Sequence, residues 1–118
     1  DMRLGNLLVD GNKVTLIDFD DCGFCWFAYD FAAAISFHET SAAAPALKAA
    51  WIDGYQSVRP LGAEDLAAID TMVMLRRMAL LAWIGSHAET SLARQHMPGF
   101  ADGTAQLAER YLRGALWT

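Results

Sequence analysis

The sequence predicts a mainly α-helical domain fronted by a small N-terminal β-hairpin. Three observations point there. Two β-prone runs flank an Asp-Gly-Asn turn within the first seventeen residues. From Trp26 onward the apolar residues follow helical spacing and alanine is abundant. Pro60, Gly62, Pro98 and Gly99 then divide the remainder into separate helices.

The hairpin rests on Leu7, Leu8 and Val9, the turn residues Asp10, Gly11 and Asn12, and a β-branched run at residues 14–17. Asp10 is read as a turn residue. Past the acidic segment 18–21 and Gly23 the period changes. Residues 26–37 are expected to form a buried helix, with Trp26, Phe27, Tyr29, Phe31 and Phe37 in the core rather than in a substrate cage. A second helix is expected over residues 43–57, with Leu47, Ala50, Trp51 and Tyr55 on one face. The third, from residue 63 towards Ile84, opens with Glu64 and Asp65, which suit the positive end of a helix dipole. Its middle is apolar on nearly every side, which predicts a central position. A last helix is expected at residues 104–116.

A chain of 118 residues supports one domain. Its hydrophobic content of 54% exceeds what so small a domain can bury. Part of the excess is expected on a face built for a partner, either another lobe of the same polypeptide or a second copy in a homodimer. The alternative is an alanine-rich helical core and nothing more. The net charge of -5, with no Lys/Arg run, argues against nucleic acid as a partner and suits a cationic or neutral ligand. The most apolar stretch, residues 72–84, is interrupted by Arg76 and Arg77 and is too short to span a membrane. With no signal-like start, a cytoplasmic location is expected. Arg76 and Arg77 are expected to pair with acids elsewhere or to face solvent, not to bind phosphate.

Cys22 and Cys25 form a lone C-x-x-C. A zinc site would need two further ligands, and His38, His87 and His96 are too scattered to supply them obviously. Two reduced thiols beside a loop are expected.

The acids near the start carry the chemistry. A hairpin between Asn6 and Asp18 returns Asp18, with Asp20 and Asp21 behind it, to the neighbourhood of Asp1. One site would then hold a carboxylate, a carboxamide oxygen and a second carboxylate. Magnesium takes such hard oxygen ligands, one or two from protein and the rest from water and phosphates. With Asn6 and Asp18 as its ligands, Asp1 is free to accept a proton from a substrate hydroxyl, as phosphoryl transfer requires.

The interval from Asp1 to Asn6 in Asp1-Met2-Arg3-Leu4-Gly5-Asn6 resembles the H-G-D-x-x-x-x-N catalytic loop of aminoglycoside phosphotransferases, choline kinases and homoserine kinases. Leu16-Ile17-Asp18-Phe19-Asp20 is similar to that family's metal-binding element after the hairpin, and Tyr29-Asp30-Phe31-Ala32 to its Y-D-L-A stretch. The resemblance covers about the first 35 residues. It implies the C-terminal lobe of a protein-kinase-like fold, with catalytic loop and metal-binding hairpin at about 1–23 and a helical lobe at about 24–118. It implies Asp1 as base, Asn6 and Asp18 as magnesium ligands in an ATP site, Asp20 as an extra metal or substrate contact, and Asp30 as a structural support of the catalytic loop. Asp30 could instead cap the helix beginning near it. Asp21 reads as a solvated loop acid. The substrate implied is a small hydroxylated molecule. The chain starts inside the loop motif and has neither G-x-G-x-x-G nor a Walker-type G-K-S/T. It is therefore expected to be a piece of a longer protein whose N-terminal lobe clamps the nucleotide, and to be inactive alone.

Two other readings compete. The strand-then-D-x-D run at Asp18 and Asp20 also resembles haloacid dehalogenase-type phosphatases, with Asp18 as nucleophile, but that fold needs alternating strands and helices. A truncated lobe acting as a non-catalytic helical interaction module is the other.

Overall fold

The computed structural model describes residues 1–117. After a single 3₁₀ turn at Leu4–Asn6 come strands β1 (Leu7–Asp10) and β2 (Lys13–Leu16), then helices α1 (Tyr29–Ala34), α2 (Ala44–Gln56), α3 (Ala63–Ser86), α4 (Ser91–His96) and α5 (Phe100–Leu112). The strands pair antiparallel, Leu7 opposite Leu16 and Asp10 opposite Lys13. Gly11 makes the tight turn possible by taking a φ of 57°, which costs glycine little. The architecture is thus mostly helical with one two-stranded sheet.

Helix α3 is the axis of the molecule and packs against α1, α4 and α5. It starts where the sequence places it. Gly62 is extended, and its N–H donates to the Asp65 carboxylate at 3.1 Å, satisfying one of the orphan donors of the first turn. Ile69, Val73 and Met74 bury against Phe31, Ala32, Ile35 and Leu107 in the main core. About two and three turns further on, Leu80 and Ile84 meet Ala93 and Phe100 in a second cluster. Phe31 anchors the first cluster, tilted against Trp51 at 5.6 Å and edge-on to Trp117 at 6.2 Å.

Several expectations are corrected. The helix expected over 26–37 spans only Tyr29–Ala34, because Trp26 and Phe27 lie in turns and Phe37 takes a left-handed φ of 71° that ends helical propagation. Of its aromatics Phe31 is buried, but Trp26 and Phe27 stand exposed. Leu47 is also exposed, and Ala44 takes the buried place on α2. The last helix begins four residues early, at Phe100, directly after Gly99 with its φ of 73°. Helix α4 was unforeseen: six residues carry too little periodicity, yet the Thr90 hydroxyl caps it by accepting from the Ala93 N–H at 3.2 Å.

The hairpin does not enter the core. Leu8, Val9 and Val14 are all more than half exposed, as are Phe19, Phe24 and Trp26 beyond it. Among the described residues, no helix is long and apolar enough to cross a membrane.

Candidate active site

Asn6 organises the loop from beneath. It is buried, and its side-chain Nδ2 donates to the backbone carbonyl of Asp1 at 2.9 Å. Its own carbonyl accepts from the Ile17 N–H at 3.0 Å. The first bond closes the loop onto Asp1; the second joins the loop to the far end of the hairpin. Because strand register pairs Leu7 with Leu16, Ile17 arrives opposite Asn6 and Asp18 follows at once. With its amide nitrogen engaged, Asn6 has its carboxamide oxygen left for another partner.

Asp18 takes a φ of 65°, an unfavourable region for a residue with a Cβ. Such a conformation costs roughly 1 kcal/mol or more and is held here by the flanking bonds. The loop thereby turns out of the strand and brings Asp18 to the wall of the cleft that Asp1 lines.

Asp1 is tied across the molecule. Arg76 of α3 donates from Nη2 to Asp1 Oδ1 at 3.3 Å and from Nε to Ser36 Oγ at 3.0 Å. Ser36, buried just past α1, donates in turn to the Ala32 carbonyl at 3.4 Å. On the other side Arg3 Nε stands 3.9 Å from Asp1 Oδ2, a loose contact.

Asp1, Asp18 and Arg76 face a cleft of about 680 Å³, whereas Asn6 and Ser36 are not among its lining residues. Asp1, Asp18, Asp21 and Asp30 line it with Arg3 and Arg76, and Tyr29, Phe37, Leu80 and Trp83 supply apolar surface. That volume suits a small molecule. Asp20 is not among the lining residues, whereas Asp21, read from sequence as a solvated loop acid, is. A smaller hollow of about 480 Å³ lies among Phe24, Trp26, Phe27 and Asp65, away from Asp1 and Asp18. Its one acid, Asp65, is committed to the start of α3.

Oxygen donors here fit a hard divalent cation. No group of three or more His, Cys, Asp or Glu that could hold a metal occurs among the described residues. Cys22 and Cys25 are free and exposed. Of the two expected magnesium ligands, Asp18 lines the cleft, and Asn6 lies buried beneath the loop outside that lining.

The sequence model of the phosphotransferase enzyme family matches residues 1–61. The chain belongs to this family. The matched span holds the catalytic-loop interval, the hairpin, Asp18 and Asp30. The structure of the microcompartment-associated aminopropanol kinase is similar over 95% of this chain, with a TM-score of 0.84 and 45% identity. This chain spans 36% of the length of that one. No curated protein sequence matches. Membership in the phosphotransferase family, together with a sheet of two antiparallel strands among the described residues, removes the dehalogenase reading of Asp18.

Within this family member, Asp30 stands on the cleft wall in the first turn of α1. Its carboxylate makes no side-chain hydrogen bond among the described residues. Although the residue keeps an open side, burial around the carboxyl pushes its pKa above the ordinary range. The cleft residues that sequence reasoning missed are Asp21 and Arg76. Arg76 did carry a signal, a charge pair in the middle of an apolar helix, but its acid partner lies 75 residues away.

Proposed function

We propose that this chain is the catalytic-loop and C-terminal-lobe portion of a small-molecule kinase that uses ATP and magnesium. The observation that carries the reading is the convergence of Asp1 and Asp18 on one cleft, with Asn6 bonded to the Asp1 carbonyl on one side and to Ile17 on the other. Asp1 orients the acceptor hydroxyl and takes its proton. The hydroxyl oxygen bonds to the γ-phosphorus as the bond to the bridging oxygen breaks, leaving ADP. Asn6 and Asp18 would hold magnesium; Asp20, outside the cleft lining, takes no part in this reading. When bound, that ion offsets charge on the ATP phosphates. Asp30, which makes no side-chain hydrogen bond among the described residues, adds negative charge to the cleft wall from α1.

Similarity to an aminopropanol kinase makes amino alcohols the first acceptors to test. The cleft supports that choice, since four carboxylates line it against two guanidiniums. The exposed apolar hairpin is proposed as the seat of a nucleotide-clamping lobe in the same polypeptide, so the isolated chain would not turn over ATP. The same exposed surface is what favours the second reading, a helical interaction module without catalysis.

The test is made in the full-length protein. Asp18→Ala should abolish magnesium-dependent ATP consumption with an amino-alcohol acceptor while far-ultraviolet circular dichroism stays unchanged. Full activity in that variant would remove Asp18 from the metal site. An inactive full-length wild type that binds neither ATP nor magnesium would favour the interaction module.

A further inference from the structure

We propose that Arg76 is a positioning residue for the phosphoryl transfer: it fixes the Asp1 carboxylate so that only one of its oxygens serves the acceptor hydroxyl. The inference rests on the reading of Asp1 as the catalytic base.

The geometry divides the two oxygens of Asp1. Oδ1 accepts from Arg76 Nη2 at 3.3 Å. Oδ2 has only Arg3 Nε at 3.9 Å, too far for a hydrogen bond. The carboxylate therefore has one oxygen engaged on α3 and one left for the cleft. Arg76 can hold it because its own position is determined twice. The guanidinium is planar, and its Nε donates to Ser36 Oγ at 3.0 Å. Ser36 is buried and anchored to the Ala32 carbonyl. On α3 itself, Val73, Met74 and Leu80 around Arg76 are core residues, so the helix beneath the guanidinium cannot shift freely. The Arg76 side chain is 20% exposed, less open than an ordinary surface pair, which strengthens its hold on Asp1. Arg3, at 34% exposure and longer range, is no substitute. A catalytic group misplaced by about 1 Å can lose about a hundredfold in rate, which is the scale on which such a clamp acts.

The experiment is steady-state kinetics on the full-length protein with Arg76→Gln, Arg76→Lys, Ser36→Ala, Asp1→Asn and the Arg76→Gln/Asp1→Asn double variant. Arg76→Gln should lower kcat by about 30- to 100-fold, with KM for ATP within about twofold of wild type. Arg76→Lys should recover part of that loss, because it restores the charge without the fork. Ser36→Ala should show a smaller loss of the same kind. In the Asp1→Asn background Arg76→Gln should cost nothing further, since the group it positions is gone. Should Arg76→Gln fail to fold, as judged by its thermal melt, Arg76→Lys and Ser36→Ala carry the same comparison. An inactive Asp1→Asn beside a fully active Arg76→Gln would overturn the positioning role and leave the kinase reading intact. So would an Arg76→Gln loss that persists undiminished in the double variant. A fully active Asp1→Asn would instead overturn the assignment of Asp1 as base.

Discussion

Arg77 and Glu39 form an ion pair inside the helical core, Nη1 to Oε2 at 2.7 Å, with side chains 3% and 0% exposed. The guanidinium also donates to Thr104 Oγ1 at 2.8 Å and to the Phe100 carbonyl at 3.2 Å, and it lies over the Phe100 ring at 3.5 Å. Glu39 bonds outward as well, its backbone carbonyl accepting from Trp117 Nε1 at 2.8 Å. This one pair thus joins the segment after α1 to α3, α5 and the C-terminal segment. Among the described residues, the other Glu39 carboxylate oxygen, Oε1, is buried without a partner.

Breaking that pair from one side leaves a buried charge uncompensated. Arg77→Met should therefore destabilise the chain by about 3–5 kcal/mol, read from the urea midpoint. Adding Glu39→Leu should return much of the loss, because an apolar replacement of both partners strands no charge. A single variant within 1 kcal/mol of wild type would contradict this account of the pair.

Asp18 separates stability from activity. Its φ of 65° is one that glycine adopts at no steric cost. Asp18→Gly should stay within about 1 kcal/mol of wild-type stability, relief of strain offsetting the added freedom of the unfolded chain. Turnover should nonetheless be lost with the carboxylate. Thermal melts and ATP consumption on the same preparation check both halves.

Asp30 predicts a pH dependence of folding. Burial raises its pKa in the folded chain, so the folded state holds the proton more tightly than the unfolded one. Its favourable contribution is present below about pH 4 and is lost as pH rises through the folded value. Arg3 and Arg76 share its cleft, as do Asp1, Asp18 and Asp21, and all of them persist in an Asp30→Asn variant. Asp30→Asn should thus gain stability relative to wild type at pH 7 and lose that advantage near pH 3. Urea midpoints at the two pH values decide it; an advantage that grows on acidification would reverse the sign.

Cys22 and Cys25 are free and exposed. Both should react promptly with a thiol reagent in the native chain, and a chelator should leave the melting temperature unchanged. Slow titration, or a fall in melting temperature on chelation, would point to a bound metal at the pair.

Local chemistry was legible where neighbouring residues decide the outcome. The β-prone runs around Gly11 specify the hairpin, and its two-residue turn determines that Ile17 returns to Asn6. Gly62 with Asp65 starts α3, and the apolar period carries it onward. Boundaries set by a single unusual φ were less visible, since Phe37 has no side-chain signature for the left-handed turn that ends its segment. Burial was misread at Trp26 and Phe27 for a related reason. Aromatic character shows that a side chain gains by leaving water, but not which surface covers it.

The sequence alone determined the interval from Asp1 to Asn6, the hairpin that returns Asp18, and hence the family, because these depend on spacing along a short stretch of chain. Only the tertiary structure decided that Arg76 clamps Asp1, that Asp21 rather than Asp20 lines the cleft, and that Arg77 closes on Glu39. Those pairings join residues whose separation is set by how whole helices pack, and a guanidinium in an apolar helix finds its acid only when that packing brings the two within hydrogen-bond reach.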